Sequence, residues 1–118
     1  MESTQAIDVF AALSQVTRLD TFRLLMEHEP AGLPAGEIAR RLEVPQNTMS
    51  THLAILARAG LIEAERHSRS IVYRAVVDRV RQIASFLVQD CCGGHPELCE
   101  PLIAEFTPCC APKEPNHV

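Results

Sequence analysis

The chain is 118 residues long, 47% apolar, 22% charged and 4% aromatic, which fits one domain with a modest core that a dimer interface would help to stabilise. It has no apolar run of about 18 residues and no basic start leading into an apolar block, so neither a membrane span nor a secretory signal is expected, and a cytoplasmic location is. The net charge of −4 argues against indiscriminate nucleic-acid binding, yet eight arginines meet five carboxylates between Glu37 and Arg81, a local balance of +3 set between −3 before it and −4 after it. That middle segment suits phosphate, with modest and salt-sensitive affinity.

The first helix is expected over Thr4–Leu13, with Ala6, Ile7, Phe10 and Leu13 along its inner side. Ser14 to Thr17 breaks it, and Thr17 followed by Asp20 reads as the N-cap of a second helix that ends near Glu27, with Leu19, Phe22, Leu25 and Met26 towards the core. Pro30, Gly32 and Pro34 then separate it from a short third helix whose apolar side is Glu37-Ile38-Ala39 and Leu42.

The fourth helix starts at Pro45, whose ring presets φ and whose missing N–H costs nothing in a first turn. Met49, Leu53 and Leu56 recur at helical spacing, while Gln46, Asn47, Thr48, Ser50, Thr51 and His52 fill the other faces of its leading half. Such side chains hydrogen-bond to base edges and phosphates, and these six are the candidate DNA contacts on the helix. His52 reads equally as a packed or capping histidine, and Arg40 and Arg41 as a solvated face.

Gly60 marks the end of this helix. Leu61–Arg66 and Ser70–Ala75 read as two strands around His67-Ser68-Arg69, a hairpin too small to stand alone but placed to act as a wing, with Arg66, His67 and Arg69 able to reach backbone phosphates or the minor groove. From Asp78, a plausible N-cap, a last helix carries Val80, Ile83, Ala84, Leu87, Val88 and Cys91, an apolar stripe that a second copy of the chain would cover. The expected fold is mainly α with a small β-hairpin (α+β): a winged helix-turn-helix of five helices, acting as a homodimer on double-stranded DNA.

These residues resemble a family. The order Leu13-Ser14-x-x-Thr17-Arg18-Leu19, Glu37-Ile38-Ala39, Ser50-x-His52-Leu53-x-x-Leu56-x-x-Ala59-Gly60-Leu61-Ile62 and Arg66-x-x-Arg69-x-x-x-Tyr73 is similar to that of the ArsR/SmtB winged-helix repressors, over residues 1 to 92. The resemblance implies a homodimer joined through the first and last helices, a recognition helix from Pro45 to Ala59, Arg18 as a structural tie, and release from the operator when an inducer binds. Two departures stand out: Ser68 replaces the usual wing-tip Gly, and Ala35 to Leu42 lacks the cysteine pair that often binds the family's inducer.

All five cysteines, Cys91, Cys92, Cys99, Cys109 and Cys110, lie at the C-terminal end. In a cytoplasmic protein that clustering points to soft-metal binding or redox sensing rather than structural disulfides. Cys91 and Cys92 fall where the last helix should finish, and Gly93-Gly94 and Pro96 let the chain fold back and bring Cys99 to them. Three thiolates make a soft three-coordinate site. Within the resemblance, members with a Cys-Cys pair and a third downstream Cys at this end bind As(III) or Sb(III) through three sulfurs, so Cys91, Cys92 and Cys99 are assigned as the inducer site, on a segment 93–118 that completes it.

Other uses of the cluster stand beside that one. Cys91, Cys92, His95 and Cys99 would make a tetrahedral set for Zn²⁺ or Cd²⁺, and a thiol switch is a third use, although neighbouring cysteines form only strained disulfides. Cys109-Cys110, in a Pro-rich stretch, reads as an accessory or idle pair. A small thiol oxidoreductase or arsenate reductase would want a nucleophilic Cys in an oxyanion-cradling loop with a supporting Arg, whereas Cys91 follows a helix and Asp90. A metallochaperone would leave the basic helix-turn-helix without a purpose.

Overall fold

A computed structural model describes residues 1–91, with side chains through Val88. They form α1 (Ser3–Leu13), α2 (Val16–Glu27), β1 (Leu33–Pro34), α3 (Ala35–Leu42), α4 (Gln46–Arg58), β2 (Ile62–His67), β3 (Ser70–Ala75) and α5 (Val77–Cys91). Met1–Ile83 is one unit, and a second begins at Ala84, within α5. The expected boundary between residues 92 and 93 lies outside the described residues.

The expected inner side of α1 holds for Ala6 and for Leu13, which packs against the core, but is corrected at Ile7 and Phe10. Ala6, Val9 and Ala12 are buried, whereas Ile7 is 62% and Phe10 41% exposed. Helical spacing alone allows either stripe, and the small residues let neighbouring helices approach closely while the large ones are left for another partner. In α2 the N-cap is Gln15 rather than Thr17, since the Gln15 side chain accepts the Arg18 N–H at 2.9 Å and the helix starts at Val16. Its core side is Thr21, Phe22 and Leu25; Leu19 is 40% exposed. Thr21 is buried because its hydroxyl is satisfied locally, donating to the Thr17 carbonyl at 2.8 Å while lying against the Met49 sulfur.

The two-residue β1 was not expected, being too short for alternation to show. It pairs antiparallel with β3, Leu33 opposite Tyr73, so that the hairpin becomes a three-stranded sheet in the order β1-β3-β2. Gly32 makes the pairing possible: its φ is +76°, and a Cβ there would stand 2.5 Å from the Tyr73 carbonyl oxygen. Gly32→Ala is expected to destabilise the fold by about 1–3 kcal/mol, read as a lower denaturant midpoint with an unchanged slope.

The turn between α3 and α4 is carried by Glu43 at φ +57°, after which the Val44 N–H donates to the Ala39 carbonyl at 3.0 Å. Pro45 is the N-cap of α4 rather than its first helical residue, and its carbonyl accepts from the Met49 N–H at 2.9 Å. At the other end Gly60 turns left-handed (φ +81°), with Leu61 N–H bonded to Leu56 O and Gly60 N–H to Ala57 O, both at 3.0 Å, the Schellman closure that the glycine foretold. Met49, Leu53 and Leu56 are fully buried with Leu25, Ile38 and Leu61. Asp78 lies inside the first turn of α5 rather than capping it, bonded to Arg81 and Gln82.

Candidate nucleic-acid interface

Packing fixes which side of α4 is available. With Met49, Leu53 and Leu56 in the core, Gln46, Asn47, Thr48, Ser50 and Thr51 are all exposed, and His52 is half-buried. The five sit on the leading turns, where the free backbone N–H groups and the positive end of the helix dipole favour phosphate. Asn47 Oδ1 accepts the Thr48 N–H at 2.9 Å, and the Thr51 hydroxyl donates to the Asn47 carbonyl at 3.4 Å, so both side chains are held on the helix surface without being enclosed.

His52 is set apart by its neighbour. Arg18 Nη1 approaches His52 Nδ1 at 3.4 Å, and Arg18 also donates through Nε to the Ala12 carbonyl at 2.6 Å and through Nη2 to the Ala11 carbonyl at 3.5 Å. The expected tie of Arg18 between helices therefore joins the last turn of α1, whose carbonyls welcome a cation, to the middle of α4. Burial first, then the Arg18 charge, hold His52 below the usual histidine range.

The hairpin closes on Ser68 and Arg69, with His67 opposite Ser70. Ser68 takes φ +57°, so it accepts the left-handed position that Gly usually fills, and the tight turn is kept. Arg66, His67 and Arg69 are exposed. His67 Nε2 meets Glu65 Oε1 at 3.2 Å, whereas Arg66 and Arg69 enter no ion pair among the described residues.

The basic segment is therefore less free than its composition suggested. Arg40 and Arg41 both pair with Glu37, holding its carboxyl down at about 2; this is the solvated face expected of them. Arg81 pairs with Asp78. Arg74 bridges Glu29 at 2.9 Å and Glu65 at 2.8 Å, bracing the wing against the turn after α2. Arg79 lies against the end of α4, Nε to the Gly60 carbonyl at 3.4 Å and Nη1 to Gln82 at 2.9 Å. Of the eight arginines, Arg58 at the end of α4 and Arg66 and Arg69 on the wing are left without a bonded partner, and these are the cations available to phosphate.

Sequence reading missed the Arg74 brace and the Arg79 contact because each depends on a partner distant in the chain. The Cys91 side chain, Cys92, His95, Cys99, Cys109 and Cys110 lie outside the description. Among the described residues no group of three or more His, Cys, Asp or Glu is arranged to hold a metal, and no helix is long and apolar enough to cross a membrane.

Residues 13–65 match the family model described as a helix-turn-helix domain. Over 95 residues the chain is 35% identical to an HTH-type transcriptional regulator of Bacillus subtilis, YbzH, covering 70% of this chain and 95% of that one. Among solved structures, an ArsR-like transcriptional regulator from Rhodococcus sp. RHA1 superposes with a TM-score of 0.71 at 28% identity, covering 91% of this chain and 93% of that one. The winged helix-turn-helix DNA-binding domain of Mb0332 from Mycobacterium bovis, described as homodimeric and as a possible ArsR-family regulator, superposes at 0.61 with 30% identity, covering 82% and 86%.

Proposed function

This chain belongs to the ArsR/SmtB family of winged helix-turn-helix transcriptional regulators, DNA-binding proteins rather than enzymes, and from that premise we propose that it is a homodimeric repressor released from its operator by trivalent arsenic or antimony. The observation that carries the DNA half is the division of α4: three apolar residues locked in the core and five hydrogen-bonding side chains exposed on the leading turns, with unpaired Arg66 and Arg69 on the wing beside them in sequence.

The dimer has an apolar supply. Ile7 and Phe10 on α1 are exposed, and so are Val80 and Leu87 on α5. Covering such residues with the same helices of a second copy is the cheapest way to remove them from water. Two recognition helices related by a twofold axis enter successive major grooves about 34 Å apart, so the operator is an imperfect palindrome.

The inducer half rests on the sequence. Cys91 closes α5 and Cys92 and Cys99 follow it in the sequence, three thiolates in all, and As(III) and Sb(III) are soft ions that take three sulfurs. The entry to α5 is tied to the turn that closes the recognition helix: Val76 N–H donates to the Leu61 carbonyl at 2.8 Å and Arg79 Nε donates to the Gly60 carbonyl. Binding at the far end of α5 shifts the pose of that helix in the dimer and takes the reading heads out of register with the half-sites. A coupling of about 1–3 kcal/mol lowers operator affinity roughly 5- to 150-fold.

The test is a titration of the reduced protein with arsenite, antimonite, Cd²⁺ and Zn²⁺, following release of a labelled fragment from upstream of its own gene. Arsenite and antimonite should release it at the lowest concentrations. Release by Zn²⁺ or Cd²⁺ alone would replace this reading with the four-ligand site that includes His95.

A further inference from the structure

Arg18 carries no carboxylate partner among the described residues, which is unusual for a half-buried guanidinium. Two of its three contacts are carbonyls of α1, and the third is His52 Nδ1 at 3.4 Å. A guanidinium has donors only and keeps its protons in proteins. The nitrogen facing it must therefore present a lone pair, and a neutral imidazole with a bare Nδ1 carries its hydrogen on Nε2. Protonating both nitrogens would turn an N–H towards the guanidinium, so geometry disfavours the imidazolium as well. Nε2 itself has no partner among the described residues.

We propose that Arg18 is a positioning residue for DNA recognition: it fixes the hydrogen of His52 on Nε2, so that α4 offers the operator a neutral donor of one defined polarity. This rests on α4 being the recognition helix. A donor of this kind matches phosphate oxygens and, in the major groove, guanine N7 and O6, adenine N7 or thymine O4, and it rejects the amino groups of adenine and cytosine. An untethered imidazole would exchange its hydrogen between the two nitrogens and read either class. The lowered proton affinity of His52 agrees with this arrangement. Arg18 is the charged group in contact with it, and the cleft of about 290 Å³ that Arg18 lines adds Asp8 from α1 and Arg58 from α4.

The experiment is a long-range ¹H–¹⁵N correlation spectrum of the imidazoles in the ¹⁵N-labelled full chain at neutral pH, paired with operator affinities. In the wild type, His52 should show a bare Nδ1 and a protonated Nε2. Arg18→Met should move both nitrogens towards the averaged values of free imidazole and weaken operator binding by up to about 2-fold, the cost of selecting the competent tautomer from an even mixture. In a His52→Gln background, where no tautomer remains, Arg18→Met should cause no further loss. A wild-type His52 with its hydrogen on Nδ1 overturns the proposal whether or not the variant folds, as do unchanged nitrogen shifts in a folded Arg18→Met. The expected tautomer in a chain that binds no DNA would instead sink the recognition-helix reading, and the DNA part of this inference with it.

Discussion

Serine at Cys91, Cys92 and Cys99 together is expected to leave a dimer that binds its operator as the wild type does and no longer releases it when arsenite is added. None of the three lies on α4 or the wing, so the DNA face is unchanged. A serine hydroxyl stays protonated near neutral pH and offers a hard oxygen in place of a soft thiolate, so the ligand loses its site. The wild-type response of roughly 5- to 150-fold should collapse to none. Fluorescence anisotropy of a labelled operator, with and without arsenite, reads both halves at once. Serine at Cys109 and Cys110 should leave the response intact. A triple variant that still lets go of DNA, or a response lost only with Cys109 and Cys110, would move the inducer site elsewhere.

Leu53→Ala should cost about 2–5 kcal/mol of stability, a large share of the roughly 5–15 kcal/mol that holds a domain folded. Leu53 is 1% exposed, between Met49 and Leu56 on α4, and shares one core with Phe22, Leu25 and Ile38. Losing its methyls forfeits transfer free energy and leaves a cavity that the surrounding core closes only in part. Because this core anchors the recognition helix, operator binding should fall with it. Chemical denaturation at fixed protomer concentration measures the effect, since dimerisation links stability to concentration. A loss under about 1 kcal/mol would mean that Leu53 is not where the core places it.

Much of the DNA-binding half was legible in the chain because the signals were local. The spacing of Met49, Leu53 and Leu56 put one side of α4 inside, and Gly60 ended the helix; both hold in the structure to within a residue of the expected boundaries. The inner side of α1 was legible only in part. Two stripes, one large and apolar and one small, satisfied the same period, and only the neighbouring helices selected Ala6, Val9 and Ala12. Caps were misplaced for a related reason: Thr17 and Asp78 are favourable capping residues, but Gln15 lay closer to the point where the chain actually turned.

The sequence by itself determined the reading helix, its polar leading turns, the wing after it, and the absence of cysteines ahead of it with a cluster behind, since periodicity, turn chemistry and composition are properties of neighbours along the chain. Only the tertiary structure decided which arginines are free for DNA and which are spent as braces. Arg18 meets His52 across 34 residues and Arg74 meets Glu29 across 45. The Glu37 and Asp78 pairs lie within one helical turn and are local, but the partners of Arg18 and Arg74 are settled by which surfaces the core brings together, and no local pattern records that.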